Sequence, residues 1–134
     1  MNIDLNLTKE LIEKHHNSVL SVNIRSFNKH KDQINLLLDK ISPNIINFCE
    51  IFHPQNLYLR GYSNIAFTRK SRKGGGISIF VMDDTSYIER KDINSIKTEL
   101  LEKVAVEITQ NHNNFLLVGL YSLHHLTLNA LYKN

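Results

Sequence analysis

The sequence predicts an α/β domain built on a mixed β-sheet with flanking helices, and three observations carry that expectation. Between Ser18 and Glu50 the chain reads strand, helix, strand, the spacing of a βαβ crossover. Between Tyr62 and Met82 two apolar runs flank a basic connection that ends in Gly74-Gly75-Gly76, which suggests a hairpin. Beyond Val104 an alternating run, a turn cluster and a second apolar run follow in close order.

Taken in order, Thr8 to His16 is a short polar stretch that reads equally as a helix or a frayed segment. Ser18 to Asn23 has the β-branched content and alternation of a short strand. From Lys29 to Ile41 the apolar residues Ile34, Leu37, Leu38 and Ile41 fall at i, i+3, i+4 and i+7. That spacing makes one stripe of an amphipathic helix. Asn28 is the expected cap, and Ser42-Pro43 the stop, because the residue before proline is driven out of the α region. Asn44 to Glu50 reads as a buried strand parallel to the first. Tyr62 to Thr68 and Ile77 to Met82 form the hairpin, with Asp83-Asp84 ending its second strand. Glu89 to Leu100 is polar and ambiguous. Val104 to Ile108 alternates, Asn111 to Asn114 is a turn cluster, and Phe115 to Tyr121 is a nearly continuous apolar strand.

Composition narrows the function classes. A chain of 134 residues is one domain's worth of sequence. Its 42% hydrophobic and 22% charged residues are ordinary for a globular protein and too apolar for a disordered one. One cysteine excludes a disulfide framework and a cysteine-rich zinc site. No apolar run approaches the ~20 residues of a membrane span, and the polar start is no signal peptide. The expectation is therefore an intracellular protein, cytoplasmic or nuclear, with no membrane partner. A net charge of +3 permits a polyanionic partner without demanding one.

Asn23 and Glu50 end the first two predicted strands, and ligands of parallel α/β sheets bind at that edge. A carboxylate and an amide there suit a hard, oxygen-loving cation such as Mg²⁺; equally, a polar strand end simply meets solvent. The triple glycine is not a phosphate loop, because a strand rather than Lys-Ser/Thr and a helix follows it. Arg69, Lys70, Arg72 and Lys73 form the strongest local positive cluster. They are placed either to contact a phosphate backbone or to face water as a solvated loop. The seven histidines lack metal-ligand spacing, and Cys49, inside an apolar run, reads as a small core residue.

Together these pieces resemble the endonuclease/exonuclease/phosphatase superfamily. The version most similar is the endonuclease domain of non-LTR retrotransposons. Asn23-Ile24-Arg25-Ser26, the helix, and Ser42-Pro43-Asn44-Ile45-Ile46-Asn47-Phe48-Cys49-Glu50 resemble that family's opening. Arg69 to Val81, Glu102 to Ile108 and Leu116 to Tyr121 resemble its next three landmarks. The resemblance implies a DNA-directed, metal-assisted phosphodiesterase using Mg²⁺ or Mn²⁺. In it Glu50 holds the metal, Asn23 positions water and phosphate, and Tyr121 lies near the scissile phosphate. Arg25 and the basic hairpin are the implied DNA contacts.

There are departures. Ile51-Phe52 follows Glu50 where the family has Thr-Trp or similar, and Tyr121-Ser122-Leu123-His124 stands where it commonly has Tyr-Arg-Pro-Pro. The later Asp-x-Asn and Ser-Asp-His landmarks do not occur in residues 122–134. The resemblance therefore covers the first half of a four-layer α/β sandwich. The expected organisation is an N-terminal extension (1–17), a partial domain (18–121) and a divergent tail (122–134). The expected chain is truncated and catalytically inactive by itself, or else a non-enzymatic remnant or binding module. With roughly one sheet expected, one apolar sheet face would lie bare and drive self-association.

Overall fold

The computed structural model describes residues 4–14, 18–53, 57–68, 75–96, 101–110 and 112–122. The chain begins with α1 (Leu5–Lys14), β1 (Val19–Asn23), α2 (Phe27–Leu38) and β2 (Ile45–Cys49). β1 and β2 are parallel, in the register Val19 to Ile45 through Asn23 to Cys49, so the crossover through α2 is formed as the spacing predicts. β3 (Tyr62–Phe67) and β4 (Ile77–Met82) form the antiparallel hairpin. β4 also runs antiparallel to β2, which gives a mixed sheet of order β1-β2-β4-β3.

The helix departs from its expected bounds at both ends. Ser26, not Asn28, caps α2, its Oγ accepting from the Lys29 amide at 3.3 Å. The earlier start brings Phe27 into the helix and into the core. Phe27 stacks on Phe80 at 5.6 Å, and both meet Phe48 edge to face. Burial of three aromatic rings outweighs the small difference between two good capping residues. α2 ends at Leu38, before Ser42-Pro43 is reached, with Asp39 as its C-cap. Ile41 is still buried, just past the helix end.

The larger correction concerns the later strands. After β4 the chain turns at Asp83–Asp84 and enters a second sheet of order β5-β6-β7. This sheet contains β5 (Ser86–Glu89), the long pair β6 (Leu101–Gln110) and β7 (Asn113–Ser122), and the short α3 (Lys91–Asn94) lies between β5 and β6. Val104, Val106 and Ile108 of β6 pack on Ile45, Ile77, Ile79 and Val81 of the first sheet. The first sheet therefore has both faces covered, by α2 on one side and by the second sheet on the other. The bare face expected to drive self-association is the inter-sheet core. The physical reason is alternation: β6 presents its apolar residues at every second position, and two such faces stack into a sandwich.

α1 lies beside β1. Thr8, Leu11 and Ile12 line an open, mainly apolar cleft of about 310 Å³ with Ser18, Val19, Leu20 and Pro43. This cleft is at the amino end of β1, opposite the end that carries Asn23. Among the described residues no helix is long and apolar enough to cross a membrane.

Candidate active site

Strand direction gathers one edge of the sandwich. β1 and β2 are parallel, so Asn23 and Glu50 leave the first sheet at the same edge. β4 is antiparallel to β2, which brings its entry, Gly75 and Gly76, alongside Cys49 and Glu50. In the second sheet Glu102 of β6 pairs directly with Tyr121 of β7. Tyr121 also reaches the first sheet, where its hydroxyl donates to Glu50 Oε1.

Backbone hydrogen bonds hold this edge together. The Ser26 amide donates to the Glu50 carbonyl at 2.8 Å and the Phe27 amide to Ile51 at 3.1 Å. The Phe52 amide donates to the Gly75 carbonyl at 2.9 Å. The Gly76 amide donates to the Glu102 carboxylate at 2.6 Å. Arg25, Ser26, Glu50 and Phe52 all have positive φ, at 47°, 85°, 56° and 65°. Each non-glycine residue held there costs about 1 kcal/mol or more, and such strain gathers where a site is held in place. Gly76, at φ 86°, cannot be replaced cheaply, since a Cβ there would lie 2.7 Å from Ile51.

The carboxylates differ in setting. Glu102 is 2% exposed, so its oxygens serve the interior, including the Gly76 amide. Glu50 keeps 20% of its side chain accessible, and its second oxygen faces the Arg25 guanidinium at 3.9 Å. Arg25 itself is 82% exposed, so this pair is weak and leaves the Glu50 oxygen open to another cation. Cys49 is half-buried, and desolvation raises its thiol pKa above the ordinary value. The hydrogen bond from Asn47 works against that shift, and the charges of Glu50 and Glu102 add to it. A thiol held protonated in this way is a packing group rather than a nucleophile.

The candidate residues divide accordingly. Glu50 and Tyr121 are in contact, Arg25 faces Glu50, and Asn23 stands exposed at the end of the neighbouring strand. Arg69, Lys70, Arg72 and Lys73 lie outside the described residues. Residue-type reasoning alone did not single out the buried Glu102, Asn47 or Gly119. A polar residue inside the apolar run 45–48 and a glycine inside the run 115–121 were the available signals. Among the described residues no three His, Cys, Asp or Glu side chains gather into a metal cluster.

No protein-family model matches the sequence. No curated protein matches it. Among solved structures, the chain superposes on the endonuclease domain of TRAS1, a telomere-specific non-LTR retrotransposon, with a TM-score of 0.64 at 18% identity. The alignment covers 87% of this chain and 51% of that one. A 3′ phosphatase, NExo from Neisseria, bound to product DNA hairpin, aligns with a TM-score of 0.47 at 14% identity. That alignment covers 74% of this chain and 39% of the phosphatase. The likeness to TRAS1 shows the fold: the chain has the endonuclease/exonuclease/phosphatase architecture and spans about half the length of the domain it matches.

Proposed function

We propose that the Glu50–Tyr121 edge is a divalent-cation and phosphodiester site for DNA, in a domain of retrotransposon-endonuclease type. The observation that carries this reading is the Glu50 carboxylate, accessible, held by Tyr121 and only loosely paired with Arg25. The donor set fits Mg²⁺ or Mn²⁺, because such ions take one or two protein carboxylates and fill their remaining positions with water and phosphate oxygens. When bound, the ion supplies Lewis-acid polarisation of a phosphoryl oxygen.

The protein groups have separable tasks. Glu50 holds the cation, and the Tyr121 hydroxyl fixes the orientation of the carboxylate that does so. Asn23 offers an exposed amide to a phosphate or its attacking water, and Arg25 offers a free guanidinium face to the phosphate backbone. The basic run Arg69, Lys70, Arg72 and Lys73 supplies further positive charge for a phosphate backbone.

As the 134-residue chain by itself, we expect binding without productive cleavage. The family's later acid–base landmarks do not occur in this sequence, and loss of a general base alone typically costs at least ~10²-fold. The test uses the purified full chain. Mn²⁺ binding followed by electron paramagnetic resonance should be lost in Glu50→Gln, and supercoiled plasmid with Mg²⁺ should remain unnicked. Binding to a labelled DNA duplex should weaken steeply with salt, and further when Arg25, Arg69, Lys70, Arg72 and Lys73 are neutralised. Wild-type Mn²⁺ binding by Glu50→Gln would refute the cation site. Nicking abolished by Glu50→Ala would refute the inactive-chain reading.

A further inference from the structure

We infer that Ser21, Asn47 and Gly119 form a transverse tie that sets the Tyr121 hydroxyl on the Glu50 carboxylate, so that Asn47 and Gly119 are positioning residues for the proposed cation site. The inference rests on Glu50 being the cation's carboxylate.

Asn47 stands in the middle of β2, facing the second sheet, where its neighbours on the first sheet are Ile45, Ile77, Ile79 and Val81. It is only 9% exposed. Its Nδ2 donates to Ser21 Oγ at 3.1 Å on β1, which prevents the amide from swinging away. Its Oδ1 is buried and, among the described residues, accepts no hydrogen bond. A valine or isoleucine would fill this position without that desolvation cost. The amide oxygen instead abuts Gly119. A Cβ at Gly119 would lie 2.6 Å from Asn47 Oδ1 and 2.9 Å from Ile77 Cδ1. The glycine therefore lets β7 approach β2 as closely as the Asn47 amide allows, and no closer.

The tie, through Ser21, Gly119 and Asn47, lies two residues before Asn23 on β1 and Tyr121 on β7, and three residues before Glu50, which follows β2. Side chains two residues apart on a strand share a face. On β2, Asn47 is followed by Cys49, which faces the Leu120 carbonyl at 4.0 Å, and then by Glu50. The height at which β7 rides over β2 at Gly119 is thus the height from which Tyr121 reaches for Glu50. A methyl group at position 119 lifts β7 and carries the hydroxyl away from the carboxylate.

Mn²⁺ affinity of the full chain, read beside its thermal unfolding, tests this. Gly119→Ala should weaken Mn²⁺ binding about tenfold, the loss typical of a displaced outer-shell partner. Adding Asn47→Ala to Gly119→Ala should not restore it, since the tie itself is then lost and the added methyl still meets Ile77 Cδ1. In a Tyr121→Phe background Gly119→Ala should cost nothing further, because the hydroxyl it acts through is gone. Loosening of the sandwich alone would cost the same in both backgrounds, and that result would overturn the inference, as would wild-type affinity in a folded Gly119→Ala chain. Should Gly119→Ala fail to fold, Ser21→Ala unties Asn47 without adding volume and must show the same dependence on Tyr121. Glu50→Gln is the control for the underlying reading: unchanged Mn²⁺ binding there removes the cation site itself, and the tie with it.

Discussion

Tyr62 shows how one half-buried phenol ties the sandwich to its environment. Its hydroxyl donates to the Pro43 carbonyl at 2.6 Å, and burial pushes its pKa up to about 12 from 10.0, with the charge of Asp84 adding to the effect. The folded state thus disfavours the phenolate that the unfolded chain forms freely. The contribution of Tyr62 is complete below about pH 10 and is lost as pH rises toward about 12. Thermal unfolding followed between pH 8.5 and 11.5 (a range within ~2 units of the tyrosine reference value) should fall more steeply for the wild type than for Tyr62→Phe. At neutral pH that variant should lose about 1 kcal/mol, the net worth of one hydrogen bond. Parallel pH curves for the two proteins would show that another group controls alkaline unfolding.

At the scale of the element, α2 carries two separable contributions. Ser26 satisfies a first-turn amide, so Ser26→Ala should cost about 1 kcal/mol in denaturant unfolding. Phe27, fully buried against Phe48 and Phe80, should cost about 3–5 kcal/mol when truncated to alanine. Equal effects would mean that capping rather than the aromatic cluster decides where the helix begins. The sequence placed this helix from its apolar stripe, and Ile34 and Leu37 are buried as that stripe requires. It missed the start because Asn28 and Ser26 are both good caps, and only contact with Phe48 and Phe80 chooses between them. Glu102 illustrates the same limit. The alternation of Val104 to Ile108 was legible, whereas the acceptance of the Gly76 amide by Glu102 depends on a contact between two sheets.

For the whole molecule, the two sheets should unfold as one unit, because one layer of Ile and Val side chains serves both. Val106, fully buried in that layer, is the sharpest probe. Val106→Asp introduces an unpaired carboxylate between the sheets, which costs several kcal/mol, a large share of the ~5–15 kcal/mol that stabilises a domain. Circular dichroism should show no cooperative thermal transition in this variant. A residual cooperative transition from the β1–α2–β2 unit would show that the first sheet folds independently. The covered face also changes the expected solution behaviour, since the apolar surface that would have driven association lies inside the sandwich.

The sequence by itself determined the local elements and the crossover: the stripe of α2, the parallel pairing of β1 and β2, the hairpin of β3 and β4, and the alternation of β6. These follow from side-chain period and turn chemistry, which act over a few residues. The four ordered landmarks also pointed to the architecture that the TRAS1 comparison shows. Tertiary structure decided how the strands divide between two sheets and which side chains meet across them. Tyr121 lies 71 residues from Glu50 in sequence yet donates to it, and Asn47 meets Gly119 only because the two sheets stack. Such contacts depend on the height and register of one sheet over the other, which no local pattern encodes.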